Sequence, residues 1–198
     1  MSHYFLEDKT LKNEDKIIKF HLLDKEITLH SNNGLFSKSR LDKGSEFFIS
    51  ELVKLPLKNE NILDYGSGNG VIGITLNLFF KDLKVSYCDS NLKALEVTKL
   101  NLDKYALTGD LYSDKDILNL KEETFDYIYL NPPIRSGKEN IFNMYKNAYR
   151  LLKTNKEFYI VIRKDLGMLS HKAFLEKVFK EVVILSKKKG YYILKMVK

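Results

Sequence analysis

Strand-like and helix-like hydrophobic runs alternate along the chain after residue 45. The runs "NILDY", "KVSYCD", "FDYIYL" and "EFYIVI" have the length and composition of strands, and a short strand is predicted in "DLYS". The runs "VIGITLNLFF", "LKALEVTKLNLDKY", "NIFNMYKNAYRLL" and "HKAFLEKVFK" between them are helix-like. This alternation predicts an α/β fold, a mostly parallel sheet with helices on both faces.

Two hairpins are predicted outside this alternation. Residues 17–30, "IIKFHLLDKEITLH", read as two short strands around a polar turn at residues 24–26. At the other end, "VVILSKKKGYYILKMV" reads as two strands joined by a tight basic turn that contains Gly190. The second hairpin predicts antiparallel strands added to a parallel sheet.

The predicted domain organisation follows from the polar segment "SNNGLFSKSRLDKGS", residues 31–45. Ser45 is the predicted N-cap of the helix "EFFISELVKL" that comes next. We therefore predict a hairpin and loop appendage over residues 1–44 and a doubly wound domain over residues 45–198. A chain of 198 residues with 44% hydrophobic content suits one well-packed core.

Composition narrows the class of protein. Lys and Arg number 33 against 26 Asp and Glu, a net charge of +7 that favours a polyanionic partner, although an AT-rich genome produces the same surplus of Lys. The single Cys88 cannot form an internal disulfide and fits a reducing cytoplasm. The apolar runs are far shorter than the roughly 18 residues of a membrane span. The four histidines lack metal-ligand spacing, so neither membrane nor metal is expected.

A glycine-rich turn in "ILDYGSGNGVIG" follows a predicted strand and opens a helix. Gly66, Gly68 and Gly70 there permit close approach of the backbone to a ligand. Gly68, Gly70 and Gly73 also fit dinucleotide spacing, with Asp89 as a ribose-binding acid about 20 residues further on. A nicotinamide-dependent oxidoreductase is therefore one hypothesis for this loop.

The carboxylate of Asp64, beside the first glycine of this turn, favours a different cofactor. It would repel a pyrophosphate but suits a ligand that carries cationic groups. The turn resembles that of class I S-adenosylmethionine-dependent methyltransferases, where it cradles the methionine part and an acid ending the second strand binds the ribose. The resemblance implies that the cofactor is S-adenosylmethionine and that the matching residues are Asp64, Gly66, Gly68, Gly70 and Asp89.

A third acid in this family follows the third strand and reaches the adenine amine. The segment "GDLYSDKDIL" offers three acids in an uncertain register. We choose Asp116, with Asp110 and Asp114 as alternatives.

The segment "YLNPPIRSGK" ends a predicted strand with an asparagine and two prolines. Pro lacks the N–H that extends a sheet and restricts the residue before it, so Asn131 is expected on a rigid rim. In class I methyltransferases this motif marks enzymes that methylate a planar nitrogen. The resemblance implies that Asn131, which also borders the cofactor, and the Pro132 carbonyl accept N–H bonds and aim the nitrogen lone pair at the methyl group. Pro133 and Ile134 complete the predicted catalytic set.

Ile134 departs from many relatives, which carry an aromatic residue there to stack on a flipped base. An aliphatic side chain covers a base face with less than the roughly 1–3 kcal/mol of an aromatic contact.

The whole segment "NPPIRSGK" is similar to bacterial small proteins related to the 16S rRNA guanine-N2 methyltransferases, as are "HYFLED", "GLFSKSRLDKGSEFFI" and "KKKGYYILK". The resemblance implies methylation of guanine N2 in ribosomal RNA, with the RNA or the small subunit as partner. We expect a monomer without the extra N-terminal domain of the larger enzymes.

Substrate contacts are expected around the cofactor loop. By likeness to relatives, residues 36–44 lie over the active site, with Asp42 and Gly44 as candidates for closing it. The candidate phosphate contacts are Arg40, Arg135, Lys138, Lys187, Lys188 and Lys189. The three consecutive lysines are equally explained as a charged turn that protects a sheet edge.

Other acceptors and one noncatalytic function stay open. Asn-Pro-Pro also serves adenine N6 in DNA or RNA and the glutamine amide of a protein. A noncatalytic RNA-binding or assembly factor would retain the fold without the reaction.

Overall fold

The computed structural model describes residues 15–32 and 40–198. Its strands are β1 (Asp15–Leu22), β2 (Lys25–Asn32), β3 (Asn61–Tyr65), β4 (Lys84–Cys88), β5 (Leu111–Tyr112), β6 (Phe125–Leu130), β7 (Leu152–Arg163), β8 (Glu181–Lys188) and β9 (Tyr191–Val197). Its α-helices are α1 (Lys43–Leu52), α2 (Val71–Phe79), α3 (Leu92–Lys104), α4 (Asp114–Asn119), α5 (Lys138–Leu151) and α6 (Met168–Leu175). None of the helices in these ranges is long and apolar enough to cross a membrane.

The main sheet has seven strands in the order β5-β4-β3-β6-β7-β9-β8. The first five are parallel, whereas β9 pairs antiparallel with both β7 and β8. This arrangement confirms the predicted α/β class with its antiparallel C-terminal hairpin. The winding reverses between β3 and β6, and a ligand crevice is expected beyond the carboxyl ends of the strands at such a point.

Hydrophobic cores fill both faces of the sheet. One face packs α1, α2 and α3, and the other packs α4, α5 and α6. The pleat divides neighbouring residues between these cores, so that Ile62 belongs to the first and Leu63 to the second. The near-continuous apolar strands of the sequence therefore reflect burial on both faces.

The N-terminal hairpin is confirmed, with β1 and β2 antiparallel along their whole length. The chain turns at residues 23 and 24, where Leu23 has φ 53°, so the turn starts one residue earlier than the predicted polar turn at residues 24–26. Ile27 and Leu29 of β2 are buried in the first core, so the hairpin shares the core of the larger sheet. The division between residues 44 and 45 stays a prediction.

The start of α1 corrects the predicted N-cap. The helix begins at Lys43, and the cap is Asp42, whose Oδ1 accepts from the backbone N–H groups of Gly44 (2.9 Å) and Ser45 (3.0 Å). A carboxylate forms charge-assisted bonds at this end of the helix dipole, so Asp42 is the favoured cap. Ser45 lies inside the first turn, where its hydroxyl is available for another contact.

Candidate active site

A cavity of about 650 Å³ opens at the carboxyl ends of β3, β4 and β6. Its walls come from the turn after β3 with the start of α2, the end of β4 with the start of α3, one side of α4, the segment after β6, and α5. Ser31 of the hairpin and Asp42 before α1 also line it. The volume is within the range of roughly 300–1,000 Å³ that small-molecule sites occupy.

The glycine turn adopts a backbone that other residues rarely adopt. Gly66, Gly68 and Gly70 have φ of 71°, 59° and 77°. Gly66 and Gly68 line the cavity, and a Cβ on Gly68 would meet nothing within 4 Å, so a ligand can approach the bare backbone there. Gly70 does not line it, and a Cβ there would meet the Ile74 Cδ1 atom at 2.8 Å. The turn thus has two glycines at the cavity and one required by packing.

Asp64 acts from beneath the turn. Its side chain is completely buried and does not line the cavity, and its Oδ2 accepts from the Gly73 N–H at 2.9 Å. Its Oδ1 has no hydrogen-bond partner within residues 15–32 and 40–198. Burial, with a smaller contribution from the Asp89 charge, raises the pKa of Asp64 to about 7. The carboxyl group therefore holds the first turn of α2.

Asp89 borders the cavity at the end of β4. Its Oδ2 accepts from the Gly68 N–H at 2.8 Å, and its Oδ1 accepts from the Asn91 N–H at 2.9 Å. Burial raises its pKa, while these backbone bonds oppose the rise. One carboxylate thus connects the glycine turn to the start of α3 and presents acceptor oxygens to a ligand.

The third acid is placed differently from the choice made on sequence. Asp116 is exposed and outside the cavity lining, because its carboxylate forms a capping box with Ser113 at the start of α4. These bonds lower its pKa. Asp114 lines the cavity, and desolvation together with the Asp89 charge raises its pKa. Asp110 is exposed and does not line the cavity, so Asp114 is the acid in position to meet a cofactor.

Asn131 borders the cavity directly after β6, the strand that pairs with β3. Its Nδ2 donates to the Ser45 Oγ of α1 at 3.0 Å, so the amide oxygen is left to accept from a ligand. Pro132 is buried and Pro133 exposed, and both line the cavity with Asn131. The serine predicted as a helix cap is therefore the group that orients this asparagine.

Ile134 does not take the predicted place over a substrate. It begins a short 3-10 turn, Ile134–Ser136, and packs half-buried against the second core, outside the cavity lining. Ser136 and Pro133 occupy the rim in its place. The turn that follows Pro133 directs Ile134 into the protein, which the motif alone does not reveal.

One face of α5 supplies cavity residues that the sequence reasoning missed. Asn140, Asn143, Met144 and Asn147 all line the cavity. Their spacing of three and four residues places them on one side of a helix. Polar residues at helical spacing directly after Asn-Pro-Pro were a signal that could have found this wall.

The predicted cationic contacts lie outside the cavity lining. Arg40, Arg135, Lys138 and the three lysines at residues 187–189 are exposed. The lysines form the end of β8 and its turn into β9, and β9 starts beside Arg163 at the end of β7. The turn is therefore at the carboxyl edge of the sheet, the edge on which the cavity opens.

Two further cations at this edge were not among the predicted contacts. Arg163 pairs with Asp165, and its guanidinium lies 5.7 Å from the Tyr191 ring centroid. The Lys164 N–H donates to the Gly190 carbonyl at 2.9 Å, which joins it to the lysine turn. Residues 33–39, which include part of the predicted covering segment, lie outside the described residues.

Fold and site together define a class I S-adenosylmethionine-dependent methyltransferase. The bare glycine backbone, the carboxylate of Asp89 and the cavity volume fit a nucleoside with a cationic amino-acid end. Within residues 15–32 and 40–198, no group of three or more His, Cys, Asp or Glu could hold a metal ion.

Comparison with known proteins identifies the family. A family model described as "Methyltransferase small domain" matches residues 26–195, so the chain belongs to that family and its cofactor is S-adenosylmethionine. The resemblance inferred from the sequence motifs is thereby confirmed.

Three relatives illustrate the likeness. The chain is 36% identical to the uncharacterized protein YbxB of Bacillus subtilis, over 98% of this chain and 96% of that one. It is 31% identical to ribosomal RNA small subunit methyltransferase C of Buchnera aphidicola, over 90% of this chain but only 55% of that protein. The solved 16S rRNA N2 G1207 methyltransferase of T. thermophilus has a TM-score of 0.79 at 24% identity, over 92% of this chain and 50% of that one, a likeness of fold.

Proposed function

We propose that this protein transfers a methyl group from S-adenosylmethionine to the exocyclic N2 of a guanine in ribosomal RNA, most naturally 16S rRNA in the cytoplasm. The observation that carries the proposal is the position of Asn131. It borders the cavity directly after β6, with its amide nitrogen held by Ser45. An acceptor oxygen in that place suits a nucleophile that carries N–H groups.

An exocyclic amine needs orientation because its lone pair is delocalised into the ring. The Asn131 amide oxygen and the Pro132 carbonyl each accept one N–H of the amine, which directs the lone pair toward the cofactor. S-adenosylmethionine supplies the methyl group on a sulfonium; the amine forms the new N–C bond as the S–C bond breaks, leaving S-adenosylhomocysteine and a proton released to solvent. A strong base is unnecessary, since the proton leaves after the methyl group arrives.

The cofactor contacts in this proposal come from the turn after β3, the end of β4 and the start of α4. Asp89 binds the ribose hydroxyls, and Asp114, rather than Asp116, accepts from the adenine amine. Gly66 and Gly68 adjoin the methionine part. These assignments use the cavity-lining positions of the four residues.

Ribosomal RNA is favoured over other acceptors by two observations. The names of the Buchnera and T. thermophilus relatives state that they are small-subunit rRNA methyltransferases, the latter acting on a guanine N2. The net charge of +7 and the cations at the carboxyl edge suit a phosphate backbone. We assign the binding of RNA phosphates to Lys187, Lys188, Lys189, Arg163, Lys164, Arg40, Arg135 and Lys138. Asp42 lies at the mouth of the cavity, where it is placed to contact the substrate.

Product analysis tests the proposal. Each reaction contains the protein, S-adenosylmethionine with a trideuterated methyl group, and one candidate substrate. The candidate substrates are unmodified 16S rRNA, small ribosomal subunits, DNA and ribosomal proteins. Nucleosides or peptides are then analysed by mass spectrometry, with Asn131→Ala as the matched control. We expect deuterated N2-methylguanosine from RNA or subunits, and none with the variant.

Other outcomes would contradict the proposal and favour one of the alternatives. Deuterated N6-methyladenosine or N5-methylglutamine would identify one of the alternative acceptors. Cofactor binding without transfer to any substrate would favour a noncatalytic RNA-binding factor.

A further inference from the structure

The outer edge of β2 is paired with the side chains of Asn101 in α3 and of Tyr105, the residue that caps the C-terminus of α3. The Thr28 N–H donates to the Tyr105 hydroxyl at 2.9 Å, and that hydroxyl donates to the Thr28 carbonyl at 3.0 Å. Two residues along the strand, the His30 N–H donates to the Asn101 Oδ1 at 2.7 Å, and the Asn101 Nδ2 donates to the His30 carbonyl at 3.0 Å. Both strand residues thus find a donor and an acceptor on α3 or its C-cap residue.

The pairing of the β2 edge with Asn101 and Tyr105 depends on two regular spacings. Two residues along a strand span about 6.7 Å. Four residues along a helix, the separation of Asn101 and Tyr105, span about 6 Å. Side chains one helical turn apart can therefore satisfy alternate residues of a strand edge.

Asn101 makes one contact that Tyr105 does not. Its Nδ2 also donates to the Asn69 carbonyl at 2.9 Å, inside the glycine turn. The Asn69 Nδ2 in turn donates to the His30 carbonyl at 3.4 Å. The Asn101 side chain is completely buried, so it joins the hairpin, α3 and the glycine turn without water between them.

α3 also sets how the glycine turn faces the cavity. The Thr98 Oγ1 donates to the Gly68 carbonyl at 3.1 Å, and Asn101 holds the next carbonyl, that of Asn69. In a trans peptide the N–H points opposite to the C=O. With the Gly68 carbonyl bound to α3, the Asn69 N–H points away from α3, and both Gly68 and Asn69 line the cavity.

We propose that Asn101 is a positioning residue that couples docking of the N-terminal hairpin to the glycine turn, so that cofactor binding and hairpin docking stabilise each other. The coupling is reciprocal, because a ligand that favours one arrangement of the turn must be favoured by it in return. Ser31, at the end of β2, lines the same cavity, so the hairpin forms part of the wall that it helps to order. The proposal rests on this cavity being the cofactor site but not on any RNA substrate.

The test combines hydrogen exchange with calorimetry, using the full chain and S-adenosylhomocysteine as the probe. In the wild type, the probe should slow amide exchange in the peptide that covers β2. Asn101→Ala should weaken binding of the probe by about 5- to 150-fold, the usual range of such coupling, and remove the probe-dependent protection of β2.

Tyr105→Phe is the matched control. It removes both bonds between Thr28 and Tyr105, although the Lys104 Nζ still donates to the Thr28 carbonyl at 2.7 Å, and it leaves the contact between α3 and the glycine turn intact. Exchange near Thr28 should rise with and without the probe, while the two His30–Asn101 bonds keep the hairpin docked, so that affinity stays within about twofold of wild type. A merely structural role for Asn101 would make the two variants alike.

Three results would overturn the coupling. One is Asn101→Ala with wild-type affinity and unchanged protection of β2; another is an equal loss of affinity in Tyr105→Phe. The third needs no variant that might misfold: exchange in wild-type β2 that does not respond to the probe. Failure of the wild type to bind the probe at all would overturn the cofactor site as well, whereas absence of RNA methylation alone would overturn only the proposed substrate.

Discussion

The two walls of the cavity are built in contrasting ways. On the cofactor wall, Asp89, Thr98 and Asn101 bind successive parts of the glycine turn, and two of these three side chains are fully buried. On the wall formed by the segment after β6, Asn131 is held through Ser45, and the adjoining rim is exposed. The first wall is ordered by the protein itself, and the second is left open toward solvent.

The difference fits the two molecules that the walls are proposed to receive. The same cofactor binds at every turnover, so a site that is already ordered loses little conformational entropy when the cofactor binds. An RNA is large and must bring one amine past a rim, so that side has to stay accessible. The comparison predicts that changes to the first wall alter cofactor affinity and changes to the second alter turnover.

The largest expected effect is on the open wall. Asn131→Ala should lower kcat by about 10²–10³-fold, by analogy with the loss of one oriented hydrogen-bonding group, because the asparagine acts on the nucleophile. Cofactor affinity, measured by calorimetry, should remain close to wild type. Asn131→Asp retains the acceptor oxygen and should keep part of the turnover. Wild-type turnover in Asn131→Ala would show that the motif only ends the strand.

The next effect concerns the ordered wall. Asp89→Ala removes an acceptor of the ribose and the bond to Gly68, so S-adenosylmethionine binding should weaken by roughly 1.5–3 kcal/mol for each charge-assisted bond lost. Calorimetry measures this, with circular dichroism to verify folding. Unchanged affinity in a folded variant would contradict the assignment and remove the contrast between the walls.

The buried Asp64 predicts a pH dependence of stability. Its pKa in the folded protein is about 7, against an ordinary value of 3.8, so the folded state binds more protons than the unfolded state between these values. Stability should therefore fall as pH rises from about 4 to 7, by up to about 1.4 kcal/mol per pH unit from this group. Thermal unfolding across this range should show a flatter profile for Asp64→Asn. An equal slope in the variant would mean that other groups cause the change.

The smallest effect distinguishes two neighbouring acids. Asp114→Asn should weaken cofactor binding about 2- to 12-fold, equivalent to roughly 0.5–1.5 kcal/mol for one hydrogen bond. Asp116→Asn should leave affinity unchanged and lower only thermal stability, since Asp116 caps α4. The opposite ranking would restore Asp116 as the adenine-binding residue.

The regular features were predictable from the sequence because they depend on local patterns. Alternating apolar runs identified the sheet, and the spacing of Gly66 and Gly68 identified the turn that lines the cavity. The residues whose positions differ from the prediction lie at the starts of helices. Asp42 rather than Ser45 caps α1, and the first residue of the unpredicted α4 decides which acid meets the cavity.

The contacts of Asn101 had no local signal at all. Its partners are 32 and 71 residues away, and a buried asparagine on an amphipathic helix reads as an ordinary polar position. Only the folded arrangement brings the hairpin, the helix and the glycine turn together.

This separation along the chain has a consequence for biosynthesis. The partners of Thr28 and His30 lie 77 and 71 residues further on, so the hairpin leaves the ribosome well before α3 exists. At about 5–20 residues per second, the outer edge of β2 spends several seconds without its partners. An unpaired strand edge invites pairing with other chains, so the nascent protein is expected to be most prone to aggregation during that interval.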